Sequence, residues 1–321
     1  MIEFLERFES LVDYVGDARA VRQVIDREKP YFPQFSVNQS RDRATHIVLD
    51  MRTPPQSWFR GGFEAFRVSL FAHLRGITLI VFLPDLYYRR LRWHAAVLTA
   101  FNGVVVTLVD PSTVKSLFPH SRILGPAPMP ISVTRLEWLE RCPRNQASEV
   151  KVVFIGHVYP PRSDFLEALK IELESHGIKI QVLGDKWNTS NEDYWRTLAE
   201  ADIVLNTGFQ GPDRHFVDHI WVVHMVYRVH EVLAAGAALV TSRVKGADLF
   251  FSPGVDFLEF DSVSEAAEHI RRLVSDKDFR EATRAAGHAA SRRIILEKSF
   301  WHSIDSRLHP HSRIEPQAKL R

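Results

Sequence analysis

Strand-length apolar runs alternate with helix-period stretches along this chain, with glycine at many of the junctions, and that alternation points to α/β layers with parallel strands. Residues 45–50 form a short β-branched run, followed by a loop with Pro54, Pro55 and the Gly61-Gly62 pair. A helix-period stretch runs from Phe63 to Leu74, Gly76 stops it, and Ile77 to Leu83 is the next strand. A second βα step has Arg89 to Phe101 as helix, Gly103 as stop and Val104 to Val109 as strand.

Residues 124–148 break the pattern. The run Gly125-Pro126-Ala127-Pro128-Met129-Pro130 is too proline-rich for the interior of a strand or helix, and residues 141–148 are polar. The inter-domain connection is placed here. The alternation restarts with Lys151 to Ile155, Gly156, a helix from Ser163 to His176 and the strand Ile178 to Leu183. After Gly184 come the helix Glu192 to Ala199, the strand Ile203 to Asn206 and a long His-rich connection. That connection leads to a helix through Arg228 and Glu231, the strand Ala238 to Ser242 and the short strand Phe257 to Phe260. Helices over 262–275 and 278–297 close the repeat. The expected architecture is two Rossmann-like domains with parallel sheets facing an interdomain cleft: residues 1–146, then 147–300, then a tail over 301–321 that returns in part to the first domain or is disordered.

The length of 321 residues suits two domains, since a single core rarely serves so long a chain. A net charge of +2 leaves no strong electrostatic case for nucleic acid, although the tail over residues 307–321 is basic enough for weak contact with an anionic membrane. Cys142 is the only cysteine, which excludes an intramolecular disulfide and fits a reducing, cytoplasmic compartment. The first sixteen residues alternate acidic and apolar side chains in the manner of an amphipathic helix and lack a secretory signal's basic start. No apolar run approaches the ~20 residues that span a bilayer. Gly-x-Ser-x-Gly, Walker, Cys-x-x-Cys and Gly-x-Gly-x-x-Gly patterns are all absent, which removes the motifs of several hydrolase, kinase, redox and dinucleotide classes.

Parallel α/β sheets bind ligands outside the carboxyl ends of their strands, so the loops there carry the candidates. They include Gly156, His157 and Arg162, then Gly184, Asp185, Lys186 and Trp187, then Asn206, and finally Lys245. Glycines beside cations at helix starts suit a phosphate. Arg228 and Glu231 stand three residues apart, hence on one helix face; a guanidinium fork for phosphate and a carboxylate for vicinal hydroxyls would together grip a nucleotide sugar. On spacing alone the same pair is equally a solvated ion pair. His215 and His219 have the i, i+4 spacing of a zinc pair, with Asp218 and His224 nearby, but no third ligand is identified and no metal is expected. His230 is either a sugar contact or a packed histidine, and Trp187 either a stacking platform or a core residue. In the first half Arg60, Gly61 and Gly62 form a candidate acceptor loop, while Asp85 and His94 are weak candidates for a general base.

Over about residues 152–297 the chain resembles the C-terminal domain of GT-B glycosyltransferases, most closely the group-1-like subfamily that includes spore-maturation-type glycosyltransferases. The resemblance is carried by Phe154-Ile155-Gly156 with Arg162, by Leu183 to Trp187, by Ala201 to Asn206, by Arg228 to Gly236, and by Phe251 to Gly254 with Phe260. It implies a metal-independent hexosyltransferase-like enzyme, without cofactor, that moves a sugar from a nucleotide-diphosphate-sugar donor to a glycan, lipid or protein acceptor. Glu231 would then bind ribose, Arg228, Arg162 and Lys245 would stabilise the departing diphosphate, and Gly156, His157, Gly184, Trp187 and Asn206 would line the donor site. A retaining outcome is not fixed: many retaining members carry a second glutamate eight residues before the one matched by Glu231, and Val223 stands there. A non-catalytic nucleotide-sugar binder and a nucleotide-sugar epimerase share the same fold and stay open as alternatives.

Overall fold

The computed structural model describes residues 46–50, 58–83, 89–107, 115, 118, 121–125, 127–128, 130–145, 147, 149–184, 190–207, 227–243 and 246–308. Two parallel sheets organise them. The first has the order β1 (His46–Asp50), β2 (Thr78–Phe82), β3 (Gly103–Val106) and β4 (Arg122–Leu124), with His46 opposite Thr78 and Leu79 opposite Gly103. Its central strands are continuous apolar runs because both faces are covered. Leu79, Val81, Leu83 and Val105 pack with residues of α1 (Trp58–Leu74) and α2 (Arg89–Leu98), whereas Ile80, Phe82, Val104 and Val106 take Phe300, Trp301 and Ile304 of α9 (Ser299–Leu308). The chain's last described helix therefore returns to cover the first sheet, and the Arg307 guanidinium donates to Gly125 O at 2.9 Å.

Two local expectations fail in this half. Arg60, Gly61 and Gly62 lie in the first turns of α1 rather than in a loop. Gly62 is buried where α1 meets α2, and a Cβ there would overlap the Trp93 indole, so this glycine permits a helix contact instead of breaking a helix. The stretch taken as an irregular connection, residues 124–148, begins at the last residue of β4 and contains the helix α3 (Val133–Arg141). Ser132 caps that helix, its Oγ accepting from Arg135 N at 3.0 Å, and Leu136 and Leu139 enter the core of the second sheet.

The second sheet has the order β6 (Ile180–Leu183), β5 (Val152–Ile155), β7 (Ile203–Asn206), β8 (Ala238–Ser242) and β9 (Leu258–Phe260), all parallel. Side-chain alternation sends its two faces into two cores. Val153, Ile155, Val204 and Leu239 pack with α3, with α5 (Asn191–Glu200), with α6 (Tyr227–Ala235) and with α8 (Lys277–Leu296). Val152, Phe154, Ile203, Leu205 and Val240 pack with α4 (Arg162–Glu174) and α7 (Val263–Ser275). The sheet is thus doubly wound, with the order reversing between β5 and β7.

Helix α6 ends in a Schellman turn: Gly236, at φ +73°, donates to Leu233 O at 3.0 Å, and Ala237 N donates to Val232 O at 3.3 Å. The last carbonyls meet side-chain donors. Arg144 Nη1 and Arg284 Nε reach Gly236 O at 2.6 and 2.9 Å, and the His288 Nδ1–H reaches Ala234 O at 3.0 Å. Arg284 also lies 3.4 Å from Asp202, which accepts from Asn145 Nδ2 at 2.7 Å and Lys151 N at 2.9 Å. Burial, with the neighbouring Arg284 charge second, pulls the Arg144 guanidinium below its ordinary value. Replacing Arg284 by alanine removes the buried cation that faces Asp202 and one of the two donors to Gly236 O, so Arg284→Ala is expected to cost about 3 kcal/mol in urea unfolding. Arg243→Ala, which breaks only the exposed pair with Asp261, should leave the midpoint in place.

Candidate functional site

In a parallel sheet the carboxyl ends of the strands and the amino ends of the following helices share one edge, so the loop after β5, the loop after β7 and the start of α6 converge by topology. Gly156 leaves β5 at φ +147° and donates to Leu183 O at 3.0 Å, which holds this loop beside the end of β6. Gly184 continues that rim, where a Cβ would come 3.4 Å from Val158. Asn206, at the end of β7, is buried and donates through Nδ2 to Thr241 Oγ1 at 2.9 Å. Its side chain ties β7 to β8.

Arg162 opens α4 but spends its fork on the protein. Nε donates to Thr207 Oγ1 at 2.8 Å, Nη2 to Thr207 O at 3.1 Å and Nη1 to His157 O at 2.8 Å, while the guanidinium lies over the Tyr159 ring at 4.9 Å. These bonds clasp the β5 and β7 loops across the point where the strand order reverses. A guanidinium so engaged is preorganised as a brace, with fewer N–H groups left for an anion. His157 itself is exposed, and it contributes its carbonyl to the brace.

Helix α6 carries the other charges. Arg228 and Glu231 occupy its first turns, as their spacing requires, and Glu231 is only 5% exposed. A carboxylate this deep needs donors. One is the Tyr194 hydroxyl on α5, which donates to Glu231 Oε2, and the face of the same tyrosine ring lies 5.0 Å from Arg228 Cζ. The buried Arg228 Nη1 makes no hydrogen bond among the described residues. An N–H withdrawn from water and left without an acceptor costs stability unless a ligand supplies one.

Other sequence candidates fare differently. His94 and His230 are both fully packed, His94 edge-on to Trp93 and His230 beside Phe251 at 5.7 Å between ring centres. Neither has the exposure of a general base. Asp85, Asp185, Lys186, Trp187, His215, Asp218, His219, Val223, His224 and Lys245 lie outside the described residues. Among the described residues no group of three His, Cys, Asp or Glu side chains could hold a metal ion. No helix among them is long and apolar enough to cross a membrane. Tyr194 and Thr207 are the candidate-site residues that the sequence did not single out. The Ser190 cap, whose Oγ accepts from Asp193 N at 3.1 Å, marks where α5 starts. Nothing local ties position 194 to 228 or 231.

Residues 162–307 match the family described as glycosyl transferase-like. The matched stretch is less than half of the chain. It contains Arg162, Tyr194, Thr207, Arg228 and Glu231, and it runs on through α9, the helix that covers the first sheet. No curated protein matches the chain by sequence. Among solved structures the chain is similar to Anabaena HepE in complex with UDP-glucose, with a TM-score of 0.47 at 12% identity over 81% of this chain and 78% of that one. It is similar also to the pneumococcal O-GlcNAc transferase GtfA in complex with UDP and GlcNAc, with a TM-score of 0.49 at 12% identity over 82% of this chain and 56% of GtfA. A glycosyltransferase from Rickettsia africae gives a TM-score of 0.48 at 10% identity over 82% and 85%.

The Arg162 brace has a direct test. Arg162→Lys keeps the charge but cannot span Thr207 and His157 together, so the variant should lose about 1–2 kcal/mol of stability. Amide exchange over residues 157–161 should rise with it. Thr207→Ser, which retains the hydroxyl, should change neither.

Proposed function

We propose that the protein is a glycosyltransferase whose second lobe grips a nucleoside-diphosphate sugar at the start of α6 and whose first lobe receives the acceptor. The observation that carries this reading is the buried Arg228 Nη1, without a hydrogen bond among the described residues, one helical turn from the buried Glu231 carboxylate. Such a pair presents a cation and an acceptor to one ligand, at the helix end whose backbone N–H groups also favour an anion. Glu231 accepts from the ribose hydroxyls. Arg228 faces the diphosphate.

When the glycosidic bond breaks, the departing nucleoside diphosphate gains negative charge. Arg228 and the α6 amino terminus stabilise it in a site that works without a metal, and Lys245 is a further candidate for the same task. Arg162 acts at one remove, by holding the loops after β5 and β7. The acceptor, a glycan, lipid or protein, docks on the first lobe, and closure of the two lobes keeps water from the donor. The protein works in the cytoplasm, with weak peripheral membrane contact through its basic tail, a placement supported by the single Cys142 and the charge of residues 307–321.

A melting screen with UDP, GDP, ADP and dTDP tests the reading. At least one should raise the melting temperature, and Glu231→Ala should weaken its binding by about tenfold or more. Arg228→Ala should lower transfer kcat/KM by about a hundredfold, as loss of one donor to a developing charge commonly does. A chain that responds to none of the four nucleotides is not a nucleotide-sugar enzyme. Binding without transfer, or conversion of the donor with no acceptor present, would replace transfer by simple binding or by epimerisation.

A further inference from the structure

We infer that Tyr194 is the positioning residue of the donor site: it orients both charged groups of α6 and thereby sets how strongly the protein tells ribose from 2′-deoxyribose. The inference rests on the nucleotide reading above and adds to it a residue from a different helix.

Arg228 and Glu231 carry opposite charges three residues apart on one helix face, so the simplest arrangement open to them is to neutralise each other. A mutual ion pair would turn both groups away from a ligand. Tyr194 offers each a separate partner. Its hydroxyl donates to Glu231 Oε2, which fixes the plane of the carboxylate. Its ring holds the Arg228 guanidinium by the cation–π attraction at 5.0 Å, which satisfies the charge without consuming an N–H. Arg228 Nη1 accordingly remains buried with no hydrogen bond among the described residues.

The tyrosine is itself held firmly. It lies one turn into α5 beyond the Ser190 cap, packed edge-on against Trp195 with ring centres 5.7 Å apart, and Trp195 is fully buried beneath the Arg135 guanidinium. α5 packs against α6 along this seam, with Tyr194 partly buried in the core that both helices share. Two functional groups of one rigid side chain therefore act on two ligand moieties, the hydroxyl through Glu231 on the sugar ring and the aromatic face through Arg228 on the phosphates. The two effects separate by substitution.

The experiment titrates wild type, Tyr194→Phe and Tyr194→Leu with three probes: the nucleoside diphosphate that stabilises wild type most, its 2′-deoxy form and the matching nucleoside monophosphate. Wild type should prefer the ribonucleotide by about tenfold, the scale of a hydrogen bond to a charged group. Tyr194→Phe keeps the ring, so it should lose most of that preference while the diphosphate-to-monophosphate ratio stays as in wild type. Tyr194→Leu should lose both. Glu231→Gln serves as the companion variant: combined with Tyr194→Phe it should lower the ribose preference no further than either change alone. A Phe variant that keeps the ribose preference, or a Leu variant that keeps the diphosphate-to-monophosphate ratio, overturns the assignment while leaving the donor site standing. A wild type that binds none of the diphosphates overturns the donor site, and the inference with it. A merely structural role would lower the melting temperature and weaken all three probes alike, which also counts against the assignment.

Discussion

The last carbonyl groups of an α-helix have no partner within the helix, and in α6 two guanidinium groups and an imidazole supply what the Schellman turn leaves unsatisfied. Arg284 is central among them. It joins Gly236 O at the end of α6 to Asp202, which in turn binds the backbone before β5 and the Asn145 amide of the preceding connection. One residue on α8 thereby links α6, β5, β7 and the segment that enters the lobe. A positive cluster at the carboxyl end also complements the helix dipole. Gly236 is required on two counts: its φ is left-handed, and a Cβ there would overlap the Arg144 guanidinium.

Because the carboxyl end of α6 is anchored, its amino end is fixed about two and a half turns away, where Arg228 and Glu231 stand. The site draws on three connections of different kinds. The Arg162 brace fixes the loops at the switch point, the Asn206 amide fastens β7 to β8, and Tyr194 brings α5 onto the charged face of α6. Each joins segments far apart in sequence, so the geometry of the site is a product of the tertiary fold. The same connections explain why Arg162 serves as scaffold: its fork engages the protein's own Thr207 and the His157 carbonyl.

Much of the second lobe was legible in the residues because its strands are buried on both faces. Val152 to Ile155 and Ala238 to Ser242 have no exposed position to interrupt an apolar run, and the glycines beside them mark true ends. The Arg228 and Glu231 pairing was legible for a similar reason, since helical spacing alone puts the two on one face. Helix α3 was hidden by the prolines before it and by its charged composition, with only Ser132 and the Leu136/Leu139 spacing as signals. Gly62 misled in the opposite direction, because a glycine that allows two helices to touch looks, in sequence, like one in a loop before a helix. The roles of Tyr194 and Thr207 had no local signature, as their partners lie 37 and 45 residues away.

The central claim is that a nucleoside diphosphate is held between the loops after β5 and β7 and the first turn of α6. Amide hydrogen exchange, with and without a saturating nucleoside diphosphate chosen from UDP, GDP, ADP and dTDP, tests it across the whole chain at once. Protection should appear at residues 156–163, 190–195 and 227–232 and leave β2, β3 and α1 of the first sheet unchanged. Protection confined to the first sheet, or a bound nucleotide that leaves residues 227–232 exchanging as before, would contradict the account.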